Sequence, residues 1–520
     1  MLPKVDISPF QFAGLENKPG QRFLNPSYRI KFNVYPLELN QQPMAPSRDT
    51  RRMITFDYFP DSDGGLMHFQ WNKQLGQAAG QWQASFKELS GRFDFDQLVD
   101  GDWVDIGILR NGVYLPLCRG VIDTIREQKQ SASGATVVQW NLTGRDHGAL
   151  FDYPITWSSI WVQTLTELSE GLMTGAVKGA IGGRPDQLFR LLITATFSSE
   201  KAPGQWQLPV TLRDILGNNP RFMDMLKILP LAASKKSIAT GLRGAYYNEV
   251  QLWHTAEQSL HQALMSWCNP LLNELYYDLL PPRKMQTPNG LSDFLIKWGS
   301  PKPDLVSNDP LFGHAAAFIR ERPFINSVEK EQSLWFDLPT WIIPAWLVQV
   351  CDTGRGGHER VNLFELLTDI GFGSTQEQPP QAQPLWHQGD IREHGLRTLQ
   401  QSTQYLAQFE TGPADWFAER KTWLRLLVDW YACSPYLRQG TIVLKVLLPE
   451  VRIGHRIILD EGGKPEDNWQ FYVEGVSTEF SFPPGQGAMT LTVTHGFRGG
   501  DSEYLKKVIA TSNYYREVWA

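Results

Sequence analysis

The stretch "GDWVDIGIL" (Gly101–Leu109) alternates apolar and polar residues and opens on a glycine, which is typical of a half-buried β-strand entered from a tight turn. Two further alternating stretches follow, "CRGVIDTI" (Cys118–Ile125) and "TVVQWNLTGRD" (Thr136–Asp146). Upstream, "MITFDYF" and "GQWQASFKEL" have the same character. Short strands at this density predict an antiparallel β-barrel or sandwich over residues 51–156.

The bulk composition bounds the class of protein. The chain has 520 residues, too many for one hydrophobic core, so several domains are expected. Its net charge of −6 comes from 55 acidic and 49 basic residues spread along the chain, which argues against a dedicated basic surface for nucleic acid. The four cysteines lack metal-ligand spacing and are expected to be reduced thiols, so neither a metal nor another cofactor is predicted. The N-terminus lacks a signal-peptide pattern, and no run is long enough to span a membrane.

The patterns along the chain predict an α+β, multidomain protein with two similar antiparallel β-barrel domains. An N-terminal arm with one strand, "YRIKFNVY", covers residues 1–50, and a mainly helical domain covers 157–268. The second barrel is predicted to be discontinuous, from 269–330 and 438–500. A loop and helical insertion occupies 331–437, and a tail occupies 501–520. The clearest helix is "PADWFAERKTWLRLLVDWYAC", on which one stripe carries Trp416, Arg420, Trp423, Leu427 and Trp430.

The two β regions resemble each other, which indicates an internal repeat. Each reads as a turn, a strand, a loop, a strand entered by a glycine, and a longer strand ending in a glycine. A glycine at such a place fits a bulge or a tight bend. The glycines of the first copy are predicted to match those of the second in the order Gly101 with Gly454, Gly120 with Gly475, and Gly144 with Gly496.

The stretch "NPLLNELYYDLLP" (Asn269–Pro281) places two carboxylates in an apolar run that a proline closes on either side. We interpret it as a crossover strand on which Glu274, Tyr276 and Asp278 share one exposed face, directed at a lumen or a neighbouring subunit. Two carboxylates can also hydrolyse a sugar bond. However, no histidine, second acid motif, nucleophile elbow, zinc-protease motif or phosphate loop accompanies them, so no catalytic site is predicted.

These strands together resemble a known family. The run from "GQWQASFKEL" to "VVQWNLTGRDHGALF" resembles the first barrel of the baseplate hub proteins of contractile-tailed bacteriophages, and the C-terminal run from "RQGTIVLKVLLPE" to "MTLTVTHGFRG" is similar to their closing barrel. The matching residues of the first run are Gly101, Asp102, Val104, Gly120, Val121, Gly144, Arg145 and Asp146. Those of the second are Gly440, Pro449, Gly454, Tyr472, Val473, Gly475, Val476 and Gly496.

The resemblance implies a non-enzymatic structural protein of the virion tail baseplate, made in the cytoplasm of the host bacterium. It implies a homotrimer whose two barrels per chain form a pseudo-sixfold ring. The implied partners are the central spike protein, the tail tube or a tube-initiator protein, and the baseplate wedge proteins, with genomic DNA only in transit through the lumen and no stable membrane insertion. Two alternatives stay open: the hub of a related contractile injection system, such as a tailocin or a type VI-like device, and a cell-wall-degrading tail enzyme.

Overall fold

The structure is a computed structural model. It describes residues 28–35, 54–58, 65–87, 95, 98–110, 113–132, 135–152, 229–233, 259, 261–262, 265, 273–280, 313, 315–323, 335, 338–356, 360–368, 384–403, 424–425, 427–428, 430–464, 467–481, 486–498 and 514–517.

Strands dominate the described residues. They are β1 Tyr28–Tyr35, β2 Ile54–Tyr58, β3 Leu66–Gln74, β4 Gln81–Lys87, β5 Trp103–Arg110, β6 Val113–Ala132, β7 Ala135–Asp146, β8 Leu229–Ala233, β9 Asn273–Leu279, β10 Ala315–Glu321, β11 Thr340–Pro344, β12 Val348–Gly354, β13 Leu363–Thr368, β14 Leu385–Trp386, β15 Thr398–Thr403, β16 Arg438–Leu444, β17 Arg456–Asp460, β18 Trp469–Ser481, β19 Gln486–Arg498 and β20 Arg516–Glu517. Among the described residues, the short α-helices α1 Ala149–Asp152 and α2 Gln388–His394 and the 3-10 helices Ala345–Leu347 and Ser434–Tyr436 accompany them.

Thirteen strands form one large sheet. Their order is β12-β16-β19-β18-β3-β4-β7-β6-β5-β1-β2, with β17 beside β18 and β11 beside β17. The pairings are antiparallel except for β11 with β17. One hydrophobic core underlies it, and this core draws on strands from both ends of the chain, including Phe69 on β3 and Val473 on β18.

The large sheet contains the same five-stranded unit twice. The first unit is β3-β4-β7-β6-β5 in spatial order, and the second is β12-β16-β19-β18-β17. The two units are joined edge to edge, because β18 of the second unit pairs antiparallel with β3 of the first, from Gly475 opposite Gln74 to Ser481 opposite His68. The two regions predicted as similar β domains therefore share one continuous sheet.

Matching hydrogen bonds at the entry turns establish the repeat. In the first unit Gly101 N donates to Ile122 O over 2.7 Å, and Ile122 N donates to Asp102 O over 3.0 Å. In the second unit Gly454 N donates to Val473 O over 2.7 Å, and Val473 N donates to His455 O over 2.9 Å. Both glycines have a positive φ, 86° and 74°, which a glycine adopts without steric cost.

The side chain after each of these glycines caps its own turn. Asp102 Oδ2 accepts a hydrogen bond from Val99 N over 2.9 Å. His455 Nδ1 accepts one from Arg452 N over 3.1 Å. The residue types differ, yet each side chain binds the backbone N–H three residues earlier, so the turn geometry is repeated with different chemistry.

Two β-bulges also recur at equivalent positions. The register of β6 against β7 shifts between Ile122 and Thr124, and that of β18 against β19 shifts between Val473 and Gly475. The first strands of the two units carry a second matching shift, between Leu66 and His68 on β3 and between Val348 and Val350 on β12. Bulges at matched places indicate common architecture, since each fixes the register of its strand.

These registers correct the predicted alignment of the repeat. Gly101 matches Gly454 as predicted, but the other two glycine matches are wrong. The first residue after the bulge is Thr124 on β6, opposite Thr143, and Gly475 on β18, opposite Thr492. Gly475 therefore corresponds to Thr124. By the same ladder, Val493 corresponds to Gly144. On β6 the glycine comes before the bulge and on β18 it comes after the bulge, so an alignment anchored on glycines shifts one strand against the other.

The structure also corrects which segments build the second half. Strands β9 and β10, predicted to belong to the second barrel, pair with each other and with β8 in a separate three-stranded sheet. Their place in the second unit is taken by β12, within residues predicted to be loop and helix. The sequence "VQVCDTG" of β12 is short and rich in β-branched residues, so it favours a strand wherever an edge is open to pair.

A small mixed sheet completes the described part. Its order is β15-β13-β14-β20, and its core includes Phe364, Leu427, Trp430 and Tyr515. The burial of Leu427 and Trp430 confirms that part of the predicted helical stripe, and its other members, Trp416, Arg420 and Trp423, lie outside the described residues. The predicted helical domain at 157–268 also lies outside, apart from β8 and a few residues between 259 and 265. Within the described residues, no helix has the length and hydropathy to span a membrane.

We expect Gly120→Ala to lower the free energy of unfolding by about 3 kcal/mol, the cost of overpacking a buried site. A Cβ at Gly120 would lie 1.9 Å from Arg145 O on the neighbouring strand. The matched control is Gly463→Ala, in an exposed turn where the nearest atom would be 4.0 Å away. Chemical unfolding of both variants measures the difference, and an equal effect would contradict this account of the close strand approach.

Candidate functional site

Strand β9 confirms one part of the prediction for "NELYYDL" and overturns another. The segment is a strand, but Glu274 and Asp278 are buried, with exposures of 4% and 3%, and so is Tyr276 between them. The predicted exposed face is therefore wrong. The strand lies between two layers: Tyr276 stacks on Phe318 within the main core, while Tyr277 on the other side stacks on Phe151 of α1.

Asp278 belongs to a buried junction centred on Arg452. Arg452 Nη1 lies 3.0 Å from Asp278 Oδ1, and both side chains are almost completely buried. The same guanidinium donates to Leu117 O over 2.8 Å and to Pro116 O over 2.7 Å. It also lies 5.5 Å from the ring of Trp71. One side chain of the second unit thus binds β6 of the first unit and the crossover strand β9.

Glu274 is held by other partners. Tyr472 Oη donates a hydrogen bond to Glu274 Oε2 over 2.6 Å, and Arg322 Nη1 lies 3.8 Å from the other carboxylate oxygen. The guanidinium of Arg322 in turn lies 5.5 Å from the ring of Trp430. The two carboxylates of β9 therefore do not converge on one another, and each is bound by groups of the surrounding scaffold.

A cleft of about 490 Å³ borders Glu274, and several of its polar side chains bind one another. Besides Glu274 and Arg322, it is lined by Glu474 and Thr494, whose hydroxyl donates to Glu474 Oε1 over 3.0 Å. A general acid or base needs a free position facing substrate. In this cleft the carboxylates serve the scaffold.

Asp146, the last residue of the Gly-Arg-Asp motif, is a structural anchor. Its Oδ2 lies 2.6 Å from Lys73 Nζ, and its Oδ1 accepts from Gly148 N over 2.9 Å. Lys73 is fully buried and also donates to Ala78 O over 3.1 Å. Burial raises the pKa of Asp146, and the charge of Lys73 opposes that rise. The pair joins β3 to the end of β7.

Arg145 and Asp123 form an ion pair on the solvent side of the same sheet. Arg145 binds Asp123 through two hydrogen bonds, of 2.8 and 3.0 Å. Asp123 occupies the bulge of β6, and its counterpart at the bulge of β18 is Glu474, which accepts from Thr494. Each bulge carboxylate is thus bound by the neighbouring strand, as the repeat requires.

The ion pair lies within a polar surface that we call the polar sheet face. It forms a shallow depression of about 340 Å³ on the first unit. Its polar residues are Gln70, Asn72, Gln81, Gln83, Asp123, Thr143 and Arg145. Amide groups link neighbouring strands across it, for example Gln83 Nε2 to Gln70 Oε1 over 3.1 Å. The opposite faces of these strands carry the buried core, so the sheet presents a mainly uncharged, hydrogen-bonding surface outward.

Sequence reasoning located Asp146, Arg145, Glu274 and Asp278 but missed what binds them. The missed residues are Lys73, Asp123, Arg322 and Arg452, all of which carry charge. Tyr472 was among the residues matched to the family, but its hydrogen bond to Glu274 was not predicted. Lys73 continues the buried face of β3 that Phe69 and Trp71 form, and a lysine at such a position is one signal that could have indicated a buried ion pair. No three histidine, cysteine or acidic side chains in the described part of the chain converge as metal ligands would.

We expect Arg452→Met to lower the free energy of unfolding by about 3–5 kcal/mol, because it leaves the Asp278 charge buried without its partner. The double variant Arg452→Met with Asp278→Asn is expected to recover part of that loss, since it no longer buries an unpaired carboxylate. Denaturant unfolding of the two single variants and the double variant measures the coupling. Strictly additive losses would contradict the proposed junction.

Acid pH should weaken the fold through buried histidines. Desolvation lowers the pKa of His147 to about 3, against about 6.5 in an unfolded chain. Stability from this neutral histidine is therefore complete above pH 6.5 and is lost as the pH falls from 6.5 toward 3, by about 2 kcal/mol at pH 5. His147→Gln is expected to remove this part of the pH dependence, whereas His394→Gln, at a half-exposed position, is expected to leave it unchanged. Unfolding midpoints at pH 7.5 and pH 5 provide the comparison, and parallel losses in both variants would contradict it.

Comparisons with known proteins give similar structures but no similar sequences. No family model and no curated protein matches the sequence. The chain is similar in structure to a tail protein from Neisseria meningitidis (9% identity, TM-score 0.38, covering 90% of this chain and 96% of that one). It is also similar to a prophage tail protein from Shewanella oneidensis (10%, 0.42, 91% and 99%). A third similar structure is an E. coli type VI secretion component described as resembling bacteriophage T4 tail proteins (8%, 0.35, 84% and 76%).

These neighbours are of the kind that the sequence motifs indicated, namely phage tail proteins and a type VI secretion component. Because the TM-scores lie below 0.5, the function is inferred from the geometry of the chain itself.

Proposed function

We propose that the protein is the structural hub of a contractile tail baseplate, a homotrimer that joins the tail tube to the central spike. The observation that carries the proposal is the five-stranded unit that occurs twice in one continuous sheet, joined through β3 and β18. A chain with two similar units can present one kind of surface six times when three copies form a ring. Such a ring suits a sixfold tube on one side and a threefold spike on the other.

The rigid connection between the units supports this role. Arg452 of the second unit binds backbone carbonyls of β6 in the first unit, and Asp278 of the crossover strand neutralises it. A hub has to transmit load between tube and spike without its two halves changing orientation. Buried, directional hydrogen bonds to fixed carbonyls meet that requirement better than a flexible linker does.

The polar sheet face supports a passage for DNA. Its groups are mostly neutral amides and hydroxyls, and the charge of Arg145 is matched by Asp123. Affinity for nucleic acid rises with the number of phosphates that lysine and arginine neutralise. A lumen lined by this face would therefore let DNA slide without holding it. The tube or a tube-initiator protein, the spike and the wedge proteins are the partners that the role requires.

The buried carboxylates of β9 give no support to a cell-wall-degrading activity. Glu274 and Asp278 are bound by Tyr472 and Arg452, respectively, and belong to separate polar clusters. A glycosidase instead needs two carboxyl groups on either side of a bond that a substrate can reach.

The proposal predicts a mass in solution of three chains, each of 59.2 kDa. Light scattering or native mass measurement on the purified full chain, alone and with its cognate spike protein, tests this. A ring of three chains in either sample agrees with the proposal. A chain that stays monomeric in both samples would contradict it.

A further inference from the structure

The joint between the two units inside one chain has a recognisable form. Strand β18 pairs with β17 through its first residues, Trp469–Tyr472, and with β3 through its later residues, Gly475–Ser481. The second unit therefore offers the late half of β18 as an edge, and β3 of the first unit pairs with it.

Each side of this joint has an equivalent strand edge elsewhere in the large sheet. In the first unit the late half of β6 corresponds to that edge, and Thr124–Gln128 corresponds to Gly475–Glu479 by the matched bulges. β12 of the second unit corresponds to β3 of the first. Cys351, opposite Ile442, and Phe69, opposite Ala84, occupy the same position after the matched bulges. Among the described strands, the late half of β6 pairs only with β7, and β12 pairs only with β16.

Both edges are accessible to another chain. Arg126, Glu127 and Gln128 are exposed on β6. On β12, Val350, Cys351 and Asp352 are exposed, with Val350 at 49%. Exposed strand edges are templates for pairing with another chain, and proteins normally cover or blunt them. An apolar residue and a thiol on such an edge are unusual in a strand that stays in water.

We propose that the late half of β6 in one copy pairs antiparallel with β12 of a second copy, in the register of the internal β18–β3 joint. The inference rests on the proposed hub function and specifies how its chains associate. Transferring the internal register places Gln128 opposite Asp352 of the partner chain, because Glu479 lies opposite Gln70. Joints inside and between chains would then alternate around the ring, and every unit would meet its neighbours in the same way.

The charges at the two edges agree with this register. Gln128 faces Asp352 directly, and Arg126, two residues along β6, is then diagonal to the same carboxylate. Diagonal neighbours on paired strands are about 7–8 Å apart, within reach of a long arginine side chain. A repeated head-to-tail contact closes into a ring or extends into a fibre according to the rotation per joint. The internal joint already fixes that rotation for half of the contacts.

The native thiol of Cys351 allows a direct test. Phe480 lies opposite Phe69 in the internal joint, so Lys129 of one copy should lie opposite Cys351 of the next. Lys129→Cys is therefore expected to form an intermolecular disulfide under mild oxidation, because directly opposed residues bring their Cβ atoms close to disulfide distance. Glu127→Cys, on the same face of the same strand but two residues away, is the matched control. Adding Cys351→Ser to Lys129→Cys removes the partner thiol.

Non-reducing gels of the purified full-length chain give the readout, together with the mass in solution. We expect Lys129→Cys to give linked species up to the full ring, at least tenfold more than Glu127→Cys, and the added Cys351→Ser to abolish them. An oligomer of the expected mass in which the two positions link equally, or not at all, would overturn this joint and leave the hub function standing. A chain that is monomeric under all conditions would overturn both.

Discussion

The antiparallel pairing of β18 with β3 is the constraint on which the rest of the structure depends. It converts two five-stranded units, one from each end of the chain, into a single sheet over a single core. Because strand register is fixed by the alternation of buried and exposed residues, this pairing also fixes how the two units face solvent. The same alternation along β3, β4 and β7 places the polar sheet face on the side of the first unit opposite the core.

Buried charges hold the elements around that sheet in place. Lys73 with Asp146 connects β3 to the end of β7, and Arg452 with Asp278 connects the second unit to β6 and β9. Such pairs are costly to desolvate and add little stability compared with apolar packing, but breaking one is severe. We interpret them as devices that fix orientation. In both, the additional hydrogen bonds to backbone carbonyls specify direction as well as distance.

The sequence predicted most strands well, and local pattern explains why. Alternation identified β4, β7, β16 and β19, because each has one face in the core and one face that is partly exposed. Strand β9 was predicted instead from a short apolar run between two prolines. The exposure of Glu274 could not be read in this way, since β9 is covered on both sides and the covering layers are distant in sequence. Asp278 and Arg452 are 174 residues apart, and no local pattern links them. The repeat was detected from glycines, but its register depends on bulges, which are properties of paired strands.

The central claim is that the chain's two units are successive members of one ring of sheets. The measurement that tests it most directly is a three-dimensional reconstruction by electron cryomicroscopy of the assembled protein. The account predicts a threefold particle with six five-stranded units arranged edge to edge around a bore lined by the polar sheet face. A particle in which the sheets do not continue from chain to chain, or in which that face lies on the outside, would contradict it.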